Sequence, residues 1–141
     1  MDRRSFIQLG LAGIGGTIVA PRLAIASASE QSMAGGVYYT ADAPGRWSKK
    51  VSTHLPNVEV QKGQDGAIIR VETRHSIDGW DHYIVKHMAL DKDFNFITEY
   101  MFNPMEEKAA ISELSLGAYS GPVHVLSVCN IHDTWMSVTE V

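Results

Sequence analysis

The chain predicts an all-β fold, an immunoglobulin-like antiparallel β-sandwich of about seven strands. Short runs rich in Val, Ile, Thr and aromatic residues alternate with polar breaks that carry Gly, Asn, Asp or Pro. No stretch holds a helical period over three turns. Seven such runs crowd into about 85 residues, the density of a two-sheet sandwich.

The elements follow in order. Residues 1–28 read as an export signal. Arg3-Arg4-Ser5-Phe6-Ile7 precedes a glycine-rich apolar run from Leu9 to Ala20, and Ala24-Ile25-Ala26 and Ala26-Ser27-Ala28 both suit an A-x-A cleavage site. Paired arginines before Ser-Phe-Ile resemble a twin-arginine signal. The expectation is export to the periplasm, with cleavage after Ala26 or Ala28 or retention as an anchor. Residues 29–44 form a leader, with ordered chain starting near Val37-Tyr38-Tyr39 and a turn at Ala43-Pro44-Gly45. The domain proper is 45–141. Its predicted strands are 58–61, 67–73, 82–90, 94–102, 110–116, 122–129 and 135–139, with one helical turn at 106–110.

Composition excludes some roles. The 141 residues carry a net charge of −4. Residues 1–28 hold Arg3, Arg4 and Arg22 against Asp2, so a chain without them stands at −6. An acidic surface argues against nucleic acid and anionic membranes as partners. The one cysteine, Cys129, has no internal disulfide partner.

The chemistry gathers at predicted strand ends. Cys129-Asn130-Ile131-His132 places a soft thiolate and an imidazole three residues apart, a pair suited to iron, copper or zinc. His75 and His82 flank the loop 76–81, and His54 precedes Leu55-Pro56, where proline holds its neighbour extended. Strand parity sets the other two histidines apart. Counting from His82, residues Ile84, Lys86 and Met88 share a face and His87 does not; counting from Cys129, residues Ser127, Val125 and Val123 share a face and His124 does not. His87 and His124 are therefore read as surface or satisfied structural histidines. Trp47, Tyr83, Phe94, Phe96 and Phe102 are read as core or sheet-face residues. Trp80 is placed to shield the site, and Trp135 to pack on the cysteine loop.

His54-Leu55-Pro56, His75, His82-Tyr83-Ile84 and Cys129-Asn130-Ile131-His132 with Trp135 together resemble the iron domain of superoxide reductases, the neelaredoxin and desulfoferrodoxin family. The resemblance spans residues 45–141, and the absence of a four-cysteine N-terminal module points to the one-iron class. It implies a mononuclear Fe2+/Fe3+ centre with His54, His75, His82 and His132 in a plane, Cys129 axial and the sixth position open. There superoxide would gain one electron and protons and leave as hydrogen peroxide. It further implies an exported redox protein or cytochrome as electron donor, and a homo-oligomer. One departure stands out. The family usually has Glu-Lys before the first histidine, where this chain has Ser52-Thr53. Thr53 and the nearby Lys50 become the candidate catalytic residues, Lys50 to attract the anion and Thr53 to donate a hydrogen bond or hold a water.

Two alternatives stand beside this reading. Cys129, His132 and Met136 also resemble the ligand loop of a blue-copper electron carrier, with one upstream histidine completing the site. An iron-bearing sensor or binding module without turnover would account for the missing Glu and Lys.

Overall fold

The computed structural model describes residues 33–141. The export signal and the first part of the leader lie outside the described residues. Seven strands follow one another: β1 (Asn57–Gly63), β2 (Gly66–Ser76), β3 (Ile84–Leu90), β4 (Phe96–Met101), β5 (Ala109–Ser115), β6 (Pro122–Cys129) and β7 (Thr134–Glu140). They form two antiparallel sheets, β1-β2-β5 and β4-β3-β6-β7, the arrangement of an immunoglobulin-like sandwich.

Period-two patterning builds the interior. Ala67, Ile69, Val71, Thr73 and His75 of β2 point inward, as do Ala110, Ser112 and Leu114 of β5 and Val123, Val125, Ser127 and Cys129 of β6. The larger apolar cluster joins Ile69, Val71, Leu114, Val123 and Val125 with Ala89. A smaller one, at the other end, joins Ile77, Ile84, Phe102 and Ala110 with Cys129. On β6 the alternation counted from Cys129 holds. On β3 it does not, because the register shifts between Ile84 and Lys86. The irregularity turns Lys86 and Met88 away from the face of Ile84 and brings His87 inside.

Three short features differ from expectation. Residues Val51–His54 form a one-turn helix, α1, preceded by a 3₁₀ turn at Gly45–Trp47. Four residues are too few to display a helical period. The turn expected at 106–110 falls instead at 104–106, and β5 begins at Ala109. Tyr39, within the stretch assigned to the leader, is buried and bonded on both sides to β7: its N–H donates to the Thr134 carbonyl and its carbonyl accepts from the Met136 N–H. Gly45 has φ +52, and a Cβ there would run into the Gly35 carbonyl, so the turn that carries Trp47 needs glycine.

Candidate metal centre

Four segments meet at the end of the sandwich that holds the smaller cluster. The last residue of α1 supplies His54, and Leu55 then turns extended into Pro56, whose carbonyl accepts from Ser137 Oγ at 2.7 Å. The end of β2 supplies His75, beside a register shift between Thr73 and Ser76. The 77–83 loop supplies His82. The end of β6 and the following turn supply Cys129 and His132. That turn closes where the Cys129 N–H donates to the Asp133 carbonyl at 3.0 Å, with Asp133 at φ 64.

These five side chains converge, with one donor atom from each within 4.8 Å of all the others. His54 Nε2 lies 3.1 Å from His132 Nδ1, which lies 3.1 Å from His82 Nε2, which lies 3.0 Å from His75 Nε2. The rings of His75 and His54 close the circuit edge to face, with centroids 4.7 Å apart. A square with such edges encloses a point about 2.2 Å from each corner, close to a metal–imidazole bond of about 2.1 Å. Cys129 Sγ approaches from the core side, 3.6 Å from His132 Nδ1. Four imidazoles and one thiol fit a transition ion such as iron.

The outward nitrogens explain the inward ones. His54 Nδ1 lies 2.8 Å from Thr53 Oγ1 and 3.2 Å from the Lys50 carbonyl; His75 Nδ1 meets the Ser76 carbonyl. A carbonyl only accepts, so Nδ1 carries the proton in both rings and Nε2 presents its lone pair to the centre. Burial, reinforced by the neighbouring imidazoles, depresses His54 to about 4. His75 and His132 are lowered as well, chiefly by burial and also by the nearby Lys50 ammonium. The neutral form is the one that ligates.

The surroundings hold the loops in register. Asn130 accepts from the Tyr83 N–H at 3.0 Å and donates to the Asp81 carbonyl at 3.0 Å, tying the His82 loop to the His132 turn. Trp135 is fully buried and donates from Nε1 to the His132 carbonyl at 2.9 Å. Trp47 packs edge-on against His132, with centroids 4.8 Å apart, and donates to Asp133 Oδ2 at 2.8 Å. Arg46 pairs with the same carboxylate at 2.6 Å. Trp47 is thus a partner of the site rather than a core or sheet-face residue. Trp80 is 61% exposed and packs on Tyr83, so it does not cover the centre.

A shallow depression of about 240 Å³ opens over the histidines, lined by Lys50, Thr53, His54, Arg74, His75, Ser76 and His82. Cys129 is not among these residues, so the open side lies away from the sulfur. No carboxylate lines it. Among the described residues neither Lys50 nor Arg74 forms an ion pair. The Thr53 hydroxyl is engaged with His54 and the Lys50 carbonyl, which makes Thr53 a support for the ring. Arg74 was legible only as the residue before His75. Met136 lines a separate cavity of about 720 Å³ with Leu126 and Thr134, and its register partner Leu126 sits on the face of β6 opposite Cys129, which sets Met136 apart from the site where a blue-copper centre would need it. His87 is fully buried, and His124 bonds to the Asp91 carbonyl at 2.9 Å and stacks on Phe94; neither belongs to the donor group.

Fold and site together define a β-sandwich with a four-histidine, one-cysteine donor group open on one side. No family model matches the chain, and no curated protein matches it significantly. Solved structures do. A superoxide reductase (neelaredoxin) from Ignicoccus hospitalis is 26% identical over 76% of this chain and 95% of its own, with a TM-score of 0.57. A single-site variant of it gives 25% identity over 76% and 94%, and a TM-score of 0.61. A neelaredoxin variant from Archaeoglobus fulgidus, in the reduced form, shares the fold at 19% identity over 67% and 91%, with a TM-score of 0.52. The chain has the neelaredoxin fold, with the one-iron donor set that the sequence motifs implied.

Proposed function

We propose that the protein is a superoxide reductase of the one-iron class, reducing superoxide to hydrogen peroxide at a mononuclear His4Cys iron centre. One observation carries the reading: a convergent His54, His75, His82, His132 and Cys129 group on a fold shared with superoxide reductases. When bound, iron supplies a one-electron couple and an open coordination position.

The residues of the chain do the rest. Lys50 and Arg74 give the mouth positive charge and draw in a small anion. Lys50 stands in for the lysine usual before the first histidine. Thr53 and the Lys50 carbonyl orient His54, and the Ser76 carbonyl orients His75. Cys129, set in an apolar cluster, would hold the iron as a thiolate and supply electron density to it. In balance, superoxide gains one electron and two protons and leaves as hydrogen peroxide. The electron comes from an exported redox protein or cytochrome. The twin-arginine motif at Arg3-Arg4 supports action in the periplasm after export, and a homo-oligomer is in keeping with the resemblance.

The test is metal analysis of anaerobically purified protein, paired with its reaction with superoxide followed by pulse radiolysis. One iron per chain with rapid peroxide formation and no dismutation is the expected result. Copper at the site, or iron that ignores superoxide, would replace this reading with an electron carrier or a sensor.

A further inference from the structure

A polar layer crosses the sandwich directly beneath the donor group. His87 of β3 bonds through Nε2 to Thr73 Oγ1 of β2 at 2.9 Å and through Nδ1 to Ser112 Oγ of β5 at 2.7 Å. Thr73 Oγ1 and Ser127 Oγ of β6 are 2.7 Å apart. All four residues are at most 5% exposed, and among the described residues no buried side-chain polar atom lacks a partner. His87 and Ser127 are register partners in one sheet, while Thr73 and Ser112 stand diagonally in the other, one inward position apart, so the ring spans both rows. Each inward position on one side belongs to the larger apolar cluster: Val71, Ala89, Leu114 and Val125. Two residues further toward the site stand His75 after Thr73, Cys129 after Ser127 and Ala110 before Ser112. On β3 the register shift separates His87 from Ile84 and the ligand His82. The His87 ring also meets Phe102 edge to face, 5.0 Å between centroids, and Phe102 shares a cluster with Cys129.

We propose that His87, with Thr73, Ser112 and Ser127, is a positioning brace that sets the distance between the two sheets where they deliver His75 and Cys129 to the metal centre. An apolar layer packs in many nearly equivalent ways, whereas hydrogen bonds of fixed length and direction allow one. A neutral imidazole donates to one hydroxyl and accepts from the other, so a single ring satisfies partners on two adjacent strands, β2 and β5, of the facing sheet. The brace acts through the ligands and touches no reacting atom.

The test compares the parent with His87→Gln and with a fourfold variant, His87→Leu, Thr73→Val, Ser112→Ala and Ser127→Ala, in which no network hydroxyl is left orphaned. Melting is followed alongside iron loss to a ferrous chelator and the position of the ferric thiolate absorption band. The expected result is a folded fourfold variant that loses iron about tenfold faster than the parent, with a shifted band, while His87→Gln keeps both near the parent. Unchanged iron loss and an unmoved band in a folded fourfold variant overturn the brace. If that variant does not fold, Thr73→Val with Ser127→Ala is judged by the same criteria. The iron readouts rest on the metal reading proposed above, so amide exchange at Cys129 is also measured in the metal-free full chain. About tenfold faster exchange in the variant, at equal melting temperature, supports the brace, and unchanged exchange refutes it. Failure of the parent to take up iron would instead sink the superoxide reading and leave the exchange result standing.

Discussion

His54 and His75 each spend one nitrogen on a main-chain carbonyl and keep the other for the centre. His132 is turned the opposite way, with Nδ1 inward, and its ring meets Trp47 edge-on. Cys129 is the single donor buried on the core side, and a serine there is a harder ligand with little charge transfer. Cys129→Ser is expected to abolish the visible ferric thiolate band and to lower iron content; an unchanged spectrum would remove the cysteine from the site. His87 gives a prediction in pH. Burial holds it at about 4, below the ordinary 6.5, and the groups facing it are hydroxyls and the Phe102 ring. Between those two values the unfolded chain binds a proton that the folded chain refuses. Stability present at pH 7 is therefore lost from about pH 6.5 down to about pH 4, and the loss from this group levels off below that, at about 3 kcal/mol in total. Urea unfolding of the parent and His87→Gln across this range checks it: the variant should lose less stability on acidification, and identical losses would show that His87 is not the group responsible.

At the scale of elements, the Cys129–His132 turn is held from outside. Asp133 sits at positive φ with its carboxylate between Trp47 Nε1 and Arg46, so the 3₁₀ turn before α1 is fastened to the turn after β6. The Arg46 pair is exposed and screened, whereas the bond to the half-buried Trp47 is sheltered. Asp133→Ala is expected to cost about 1–2 kcal/mol and to speed iron loss, while Arg46→Ala changes little; both are read by melting and chelator competition. Equal effects of the two would place the holding force in the ion pair. This outer layer is also where sequence reasoning stops. The inward faces of β2, β5 and β6 follow strict alternation, and all five donors stand in motifs with recognisable neighbours, so both were legible. The bulge after Ile84 has no compositional mark, yet it reverses the face of every later residue of β3 and hides His87. Helix α1 is a single turn with no period to detect. The contacts of Trp47 with His132 and Asp133 join residues some 86 positions apart, a closeness created only by the packing of the two ends.

The whole molecule carries a charge opposite in effect to that of its mouth. The chain is acidic, −4 as written, and repels an anion at long range. The depression over the histidines is bounded by Lys50 and Arg74 and by no carboxylate, and attracts an anion at short range. The two fields differ in reach. At about 0.1 M salt the Debye length is about 10 Å, so added salt first removes the long-range repulsion and then weakens the attraction at the mouth. Capture by a small diffusing anion is governed by the potential it meets on final approach, where the two cations lie closest and the low-dielectric wall focuses their field. The second-order rate with superoxide is therefore expected to fall as ionic strength rises, even though the protein is an anion overall. Lys50→Ala combined with Arg74→Ala leaves only the global charge in play. That variant should react about tenfold more slowly at low salt, and its rate should rise with ionic strength instead of falling. Pulse radiolysis at a series of salt concentrations reads both slopes. A parent rate that rises with salt, or a double variant with the parent's slope, would show that superoxide reaches the histidines without guidance from these two residues.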